Sequence, residues 1–293
     1  MRVPDLPAEM RRRIVVAWGD EVRGWLEAVP LIAARRARVW HLEIDASIVG
    51  GFDSWVLTCS DDRGHPRILK LIPDGRIARA QAETLRAWER LGVSRCVGLV
   101  AFDEKDNAML LERVEPGGDG TMLTDARRAT REAAAILNDL HRPAPENIDL
   151  PSLAEKVAGD LVYIRERLER SAITKAEELV SDLMRSASPS PFILHADFSL
   201  RNMLDAGARG FVAIDPWGAV GERAFDVATW AAEHPPTLIG ERASALAESL
   251  GLEEGRVLAW TRVLALLGAT QAVASDQELA SALREYAGTP SRR

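Results

Sequence analysis

Residues 195–202 read His195-Ala196-Asp197-Phe198-Ser199-Leu200-Arg201-Asn202 (HADFSLRN), directly after the apolar run Phe192-Ile193-Leu194. A second phrase, Ala213-Ile214-Asp215-Pro216, follows a little further on. Between the two, Met203-Leu204 and Phe211-Val212-Ala213-Ile214 have the composition of short strands. Asp205-Ala206-Gly207-Ala208-Arg209-Gly210 has the composition of the turn that joins them. The stretch 193–216 therefore reads as a β element in otherwise helical surroundings, with a hairpin at its centre. Pairing about the middle of the turn sets Asn202 and Asp215 roughly opposite each other at the open end.

A carboxylate and an amide oxygen at one place are hard ligands. They are too few for a calcium cage, but they suit Mg²⁺, which keeps water and recruits substrate phosphates. Asp197 lies on the same loop, five residues before Asn202. A carboxylate beside a metal site that does not itself bind the metal can accept a proton from an attacking hydroxyl. A base-like Asp, an Asn and a second Asp on Mg²⁺, and a Lys on nucleotide phosphates are the parts of a phosphoryl-transfer site. The Asp-x4-Asn spacing is that of the protein-kinase catalytic loop, with Pro216-Trp217-Gly218 after the second Asp in place of Phe-Gly.

The remaining parts are sought upstream. VWHLEI (39–44), SWVLTC (54–59) and RILKLI (67–72) read as three strands of an antiparallel meander. A helix follows over 77–91, with Ala78, Ala82, Leu85, Trp88 and Leu91 on one stripe. VGLVAFD (97–103) and NAMLLERV (107–114) read as two more strands. Lys70 falls on the third strand and Glu83 on the inserted helix. A Lys and a Glu so placed form the kinase pair that holds the α- and β-phosphates. Gly50 and Gly51 lie between the first two strands, where a phosphate-covering loop belongs, although the stretch is not GxGxxG. MLLERVEPG (109–117) stands at the inter-lobe hinge, where the backbone of Glu112 to Val114 would meet the adenine edge.

Around these elements the chain is helical. Residues 7–38 read as helix. Beyond Glu115-Pro116-Gly117-Gly118-Asp119-Gly120, Thr124 can cap a helix that stops before Pro143. A long helix is expected over about 152–185, and helices broken by Gly251 from Leu238 onward. The expected organisation is an N-lobe over 1–114 (N-terminal helices, five-stranded sheet and inserted helix), a hinge at 115–120, and a helical C-lobe over 121–293 carrying the hairpin. The fold class is α+β, two-lobed and protein-kinase-like.

Composition narrows the partners. With 37 basic and 44 acidic residues in 293, the net charge is −7. That is a poor balance for nucleic acid and suits a cationic small substrate better. Cys59 and Cys96 form no CxxC pair, which points to two reduced thiols in a cytoplasmic protein. The N-terminus has no apolar stretch of a secretory signal. VLAWTRVLALLGATQAVA (257–274) carries Thr261 and Arg262 and reads as a buried helix rather than a membrane span. Glu222, Glu233 and Asp276 are candidate contacts for a cationic substrate. Trp217 and Trp230 are the tryptophans nearest the cleft, and His195 is expected to pack and bond backbone rather than act as a base.

HADFSLRNML, FVAIDPWGAVGERAFDVATW and MLLERVEPG together resemble the aminoglycoside/hydroxyurea antibiotic resistance kinases, with most likeness to their streptomycin 6-phosphotransferase branch. The resemblance covers nearly the whole chain. It implies ATP- and Mg²⁺-dependent transfer of the γ-phosphate to a hydroxyl of an aminoglycoside. By it, Asp197 is the catalytic Asp, Asn202 and Asp215 hold the metal, and Lys70 and Glu83 hold the nucleotide. Asp226 supports the catalytic loop by accepting hydrogen bonds from its backbone. Relatives often show a Trp followed by acidic residues where this chain has Ala274-Ser275-Asp276, a departure that bears on the acceptor. The alternatives on the same fold are a kinase of a choline-like alcohol, a sugar or an amino-sugar, and a nucleotide-binding regulator without catalysis.

Overall fold

The computed structural model describes residues 3–48, 53–165, 170–186, 190–272 and 276–288. Helices α1 (Ala8–Trp18) and α2 (Arg23–Val39) open the chain. The single helical stretch expected there is broken at Gly19, whose φ of 77° is open to glycine, and a 3-10 turn over Asp20–Val22 follows. Helix α2 also runs through Val39, so the first strand starts later than its composition suggests, as β1 (Glu43–Ile48). Ion pairs from Arg36 to Asp103 and Asp106 hold the last turns of α2 against the sheet edge.

β1, β2 (Trp55–Ser60), β3 (Pro66–Leu71), β5 (Ala108–Glu112) and β4 (Leu99–Asp103) form one antiparallel sheet in that order, with α3 (Gly75–Arg90) inserted after β3. This bears out five strands with one helix after the third. Period-two alternation divides the sheet into two faces. Trp55, Leu57, Cys59, Leu69, Leu71, Ala108 and Leu110 pack with α1 and α2 in one core. Met109 and Leu111 face the other way, into a larger core shared with α3 and the C-terminal helices. Lys70 pairs in register with Val56 and Met109 and so projects from this second face.

The rest of the chain is mostly helical: α4 (Ala126–Leu140), α5 (Leu153–Arg165), α6 (Arg170–Arg185), α7 (Arg223–Ala232), α8 (Pro236–Leu250), α9 (Glu254–Ala272) and α10 (Gln277–Tyr286). Asp125, not Thr124, caps α4, accepting from the amides of Arg127 and Arg128. Two helices, α5 and α6, occupy the span read as one. Gly251 ends α8 in the left-handed conformation, as its position suggested. The apolar segment from Val257 lies in α9 and packs in the core. Among the described residues no helix is long and apolar enough to cross a membrane. Cys59 and Cys96 are unpaired and buried, and burial pushes both thiols up to about 12.

Helix α3 matters most for the site, because it carries groups toward the sheet and the cleft together. Asp74 starts it, accepting from the amides of Arg76 (2.7 Å) and Ile77 (3.3 Å). Asp74→Ala should lower unfolding free energy by about 1 kcal/mol, the usual worth of such a cap, as measured by urea denaturation.

Candidate active site

The hairpin forms as β7 (Met203–Asp205) and β8 (Phe211–Ala213), with Met203 opposite Ala213. The amide of Ile214 donates to the carbonyl of Asn202 at 2.9 Å, so Asp215 stands one residue beyond the pair. A second small ladder, which composition alone did not reveal, joins β6 (Phe192–Leu194) to β9 (Ala219–Gly221). The two ladders pin both ends of the excursion. Asp197 and Asp215 sit on the loops they leave between them.

Asp226, at the start of α7 and fully buried, holds the first loop. Its carboxylate accepts from the amides of His195 (2.9 Å) and Ala196 (2.8 Å) and lies 3.1 Å from His141 Nε2. These bonds keep Ala196 at a φ of 62°, a region where a Cβ is strained. His195 is buried, and removal from water lowers its pKa below the ordinary value, which keeps the ring neutral. Its Nε2 donates to Ile214 O at 2.8 Å, and its Nδ1 accepts from the Asp197 amide at 3.3 Å. The imidazole thus spans the two loops, with both nitrogens engaged by backbone.

Asp197 is open to solvent on the cleft side. Its carboxyl is nonetheless crowded by protein, and this loss of water pushes its pKa up to about 7; Lys156 opposes the shift, and Asp215, Glu233 and Asp53 add to it. Asn202 donates through Nδ2 to the Asp197 carbonyl at 2.8 Å and lies 3.4 Å from Asp197 Oδ2. That leaves its Oδ1 as an oxygen donor. Asp215 adopts a φ of 58° and forms an ion pair with Lys70 across the cleft. Among the described residues no three His, Cys, Asp or Glu side chains converge into a metal cage. The donor set of one amide oxygen and one carboxylate fits a cation that takes most of its coordination from phosphate and water.

Lys70 is 4% exposed. Besides Asp215 it touches Gln81 Oε1 at 3.1 Å. The expected pairing with Glu83 is not formed: Glu83 binds Arg90 at 2.6 Å. The helical period explains the correction. Two positions along a helix turn through about 200°, so Glu83 points away when Gln81 faces the lysine. The buried stripe containing Ala78, Gln81, Ala82 and Leu85 carried this information; the charge of Glu83 obscured it.

At the hinge, the Glu112 amide bonds Gly98 O at 2.9 Å, so its N–H is committed to the sheet edge. Among the described residues the Val114 amide has no backbone partner. Gly50 and Gly51 lie outside the described residues.

The acidic candidates separate. Glu222 is held by Arg256 and accepts from Trp260 Nε1 at 2.6 Å, so its carboxylate is structural. Asp276 caps α10 through the Leu279 amide. Glu233 is the one that lies near the catalytic loop, 3.9 Å from Arg201. Trp230 is fully buried core, whereas Trp217 is partly buried with Lys156 Nζ 5.2 Å from its ring centroid.

A two-lobed fold with Lys70 facing an Asp-x4-Asn loop and a following Asp is that of a small-molecule phosphotransferase of the protein-kinase-like type. The model of the aminoglycoside/hydroxyurea antibiotic resistance kinases matches residues 39–276, and the chain belongs to that family. It is 29% identical to a streptomycin 6-kinase of Streptomyces griseus, with 89% of this chain and 87% of that one aligned. It is 28% identical to a hydroxyurea phosphotransferase of Kitasatospora aureofaciens over 88% of this chain and 77% of that one. An amicoumacin kinase solved with AMP-PNP and Ca²⁺ superposes with a TM-score of 0.63 at 13% identity, covering 97% of this chain and 98% of that one.

The Glu222 assignment can be checked directly. Glu222→Ala strands a partly buried guanidinium and the Trp260 N–H, and should lower stability by about 3 kcal/mol by chemical denaturation. The acceptor KM should stay within about two-fold of wild type, because the side chain does not face the cleft.

Proposed function

We propose that the protein transfers the γ-phosphate of ATP, with Mg²⁺, to a hydroxyl of a streptomycin-type aminoglycoside. The observation that carries this reading is the grouping at the open end of the hairpin: Asp197, Asn202 and Asp215 share one pinned excursion, and Lys70 meets Asp215 from the other lobe.

In this reading Asp197 accepts the proton of the acceptor hydroxyl and orients it for in-line attack. A carboxyl whose surroundings push it toward neutral pH suits that task better than one held at the ordinary carboxylate value. Asn202 and Asp215 hold the divalent ion, which when bound neutralises charge on the transferring phosphoryl group. Lys70 binds the nucleotide phosphates. The backbone from Glu112 to Val114 meets the adenine edge, and the Val114 amide is available to donate. Glu83 has no part in this set, since its carboxylate is taken by Arg90.

The charge around the catalytic loop favours a cationic acceptor. Asp215, Glu233 and Asp53 all push Asp197 the same way and Lys156 opposes them, while Lys70 pairs with Asp215 and Arg201 lies 3.9 Å from Glu233. A guanidinium- or amine-bearing sugar would add positive charge beside Asp53 and Glu233, at a cleft where water is partly excluded. The streptomycin 6-kinase of S. griseus supports that acceptor; the hydroxyurea phosphotransferase of K. aureofaciens shows that the family also holds a relative named for a small neutral compound.

The test is a coupled ADP-release assay with streptomycin, other aminoglycosides, hydroxyurea and choline, followed by NMR of the product. Streptomycin should give the highest kcat/KM and a phosphate ester on one hydroxyl. A preference for hydroxyurea or choline would refute the acceptor. Asp197→Ala should lower kcat by about 10³-fold while ATP affinity by calorimetry stays near wild type. Turnover near wild type in that variant would refute the role of Asp197.

A further inference from the structure

The partner of Lys70 on α3 is a neutral amide. Among the described residues its one anionic partner is Asp215, which comes from the other lobe. The lysine is almost wholly removed from water, while Asp215 keeps about a third of its side-chain surface exposed. A buried ammonium without a carboxylate is costly, so Lys70 cannot let Asp215 go unless another anion replaces it. Gln81 can supply one hydrogen bond but no charge. The nearest carboxylate on the same helix, Glu83, is tied to Arg90.

Asp215 is also the carboxylate read above as a metal ligand, and the following inference rests on that reading. We propose that the neutral amide at Gln81, by offering Lys70 no carboxylate on its own lobe, leaves the lysine locked on Asp215, so that this carboxylate is closed to a divalent cation until nucleotide phosphates draw the lysine away. A dication on Asp215 would otherwise share one carboxylate with an ammonium in a low-dielectric cleft, and the two like charges repel. Phosphate oxygens remove the conflict, because they give Lys70 a new anionic partner and supply further ligands to the metal. Placing a carboxylate at position 81 would hand Lys70 a partner on its own lobe and release Asp215. The amide therefore makes cation binding conditional on nucleotide, whereas an acid there would permit it independently.

The prediction concerns binding, not turnover. Mn²⁺ is titrated into the full-length protein without nucleotide and followed by electron paramagnetic resonance of the unbound ion. Wild type should bind Mn²⁺ weakly alone and tightly with AMP-PNP. Gln81→Glu should bind Mn²⁺ alone about ten-fold tighter than wild type, and Lys70→Met, which removes the lock itself, should do at least as well. Gln81→Ala, which leaves the Lys70–Asp215 pair in place, should resemble wild type. Equal Mn²⁺ affinity in wild type, Gln81→Glu and Lys70→Met would overturn the lock. Adding Asp215→Asn to Lys70→Met separates the two ideas. Loss of the gained Mn²⁺ binding supports both. Its persistence would show that the ion sits elsewhere, and the reading of Asp215 as a ligand would fall. If nucleotide-dependent Mn²⁺ binding needs Asp215 but neither single variant gains binding alone, the site reading stands and the lock is wrong.

Discussion

The geometry of the catalytic loop depends on one buried carboxylate. Asp226 has no exposed surface, and its oxygens receive two backbone amides and face a histidine nitrogen. An acid so deeply removed from water is tolerated only if its lone pairs are filled, and the loop fills them. The arrangement works in both directions. The carboxylate needs the amides of His195 and Ala196, and those amides can reach it only if Ala196 takes its left-handed conformation. Strain of this kind persists where the surroundings over-determine it. Asp197 follows directly, so its direction is set by bonds made one and two residues earlier.

His195 carries the constraint across to the second loop. Because the ring is neutral and buried, it can donate on one side and accept on the other, which a charged imidazole could not. The Ile214 carbonyl takes the donated bond, and the Gly218 amide donates to the His195 carbonyl at 3.1 Å. Backbone bonds then extend the frame outward. Ala213 exchanges bonds with Arg95 and Val97, and Asp205 exchanges them with Gly117 and Gly118. The hairpin is thus fixed both to the segment after α3 and to the hinge.

Much of this was legible in the sequence because the relevant signals are local. β-Rich runs and turn residues marked the five strands, and the apolar pairs on either side of the 205–210 turn marked the hairpin with Asn202 and Asp215 at its open end. The signals that failed are those that depend on rotation or on partners far along the chain. Which acidic or amide residue of α3 faces Lys70 is a matter of helical phase, and the charge of Glu83 outweighed the buried stripe that holds Gln81. Glu222 looks like a free acid until Arg256 and Trp260 arrive from α9. The β6–β9 ladder joins short runs too weak to read as strands by themselves. The break at Gly19 is a single residue within a strongly helical composition.

Helix α3 emerges as the element through which the two lobes sense each other. Gly218, with a φ of 80°, lies so close to it that a Cβ there would come within 3.0 Å of the Ala80 carbonyl and still nearer the Thr84 hydroxyl. Glycine permits that approach because it has no Cβ to clash, and it takes that φ without the strain a side chain would bring. One turn of α3 therefore supports the loop that follows Asp215 while Gln81, on the same turn, touches the lysine that pairs with Asp215. Any shift of α3 relative to the sheet must move both contacts at once, because a helix transmits displacement as a rigid body over a few residues. The Lys70–Asp215 pair and the loop that carries Gly218 therefore both rest on this one turn of α3.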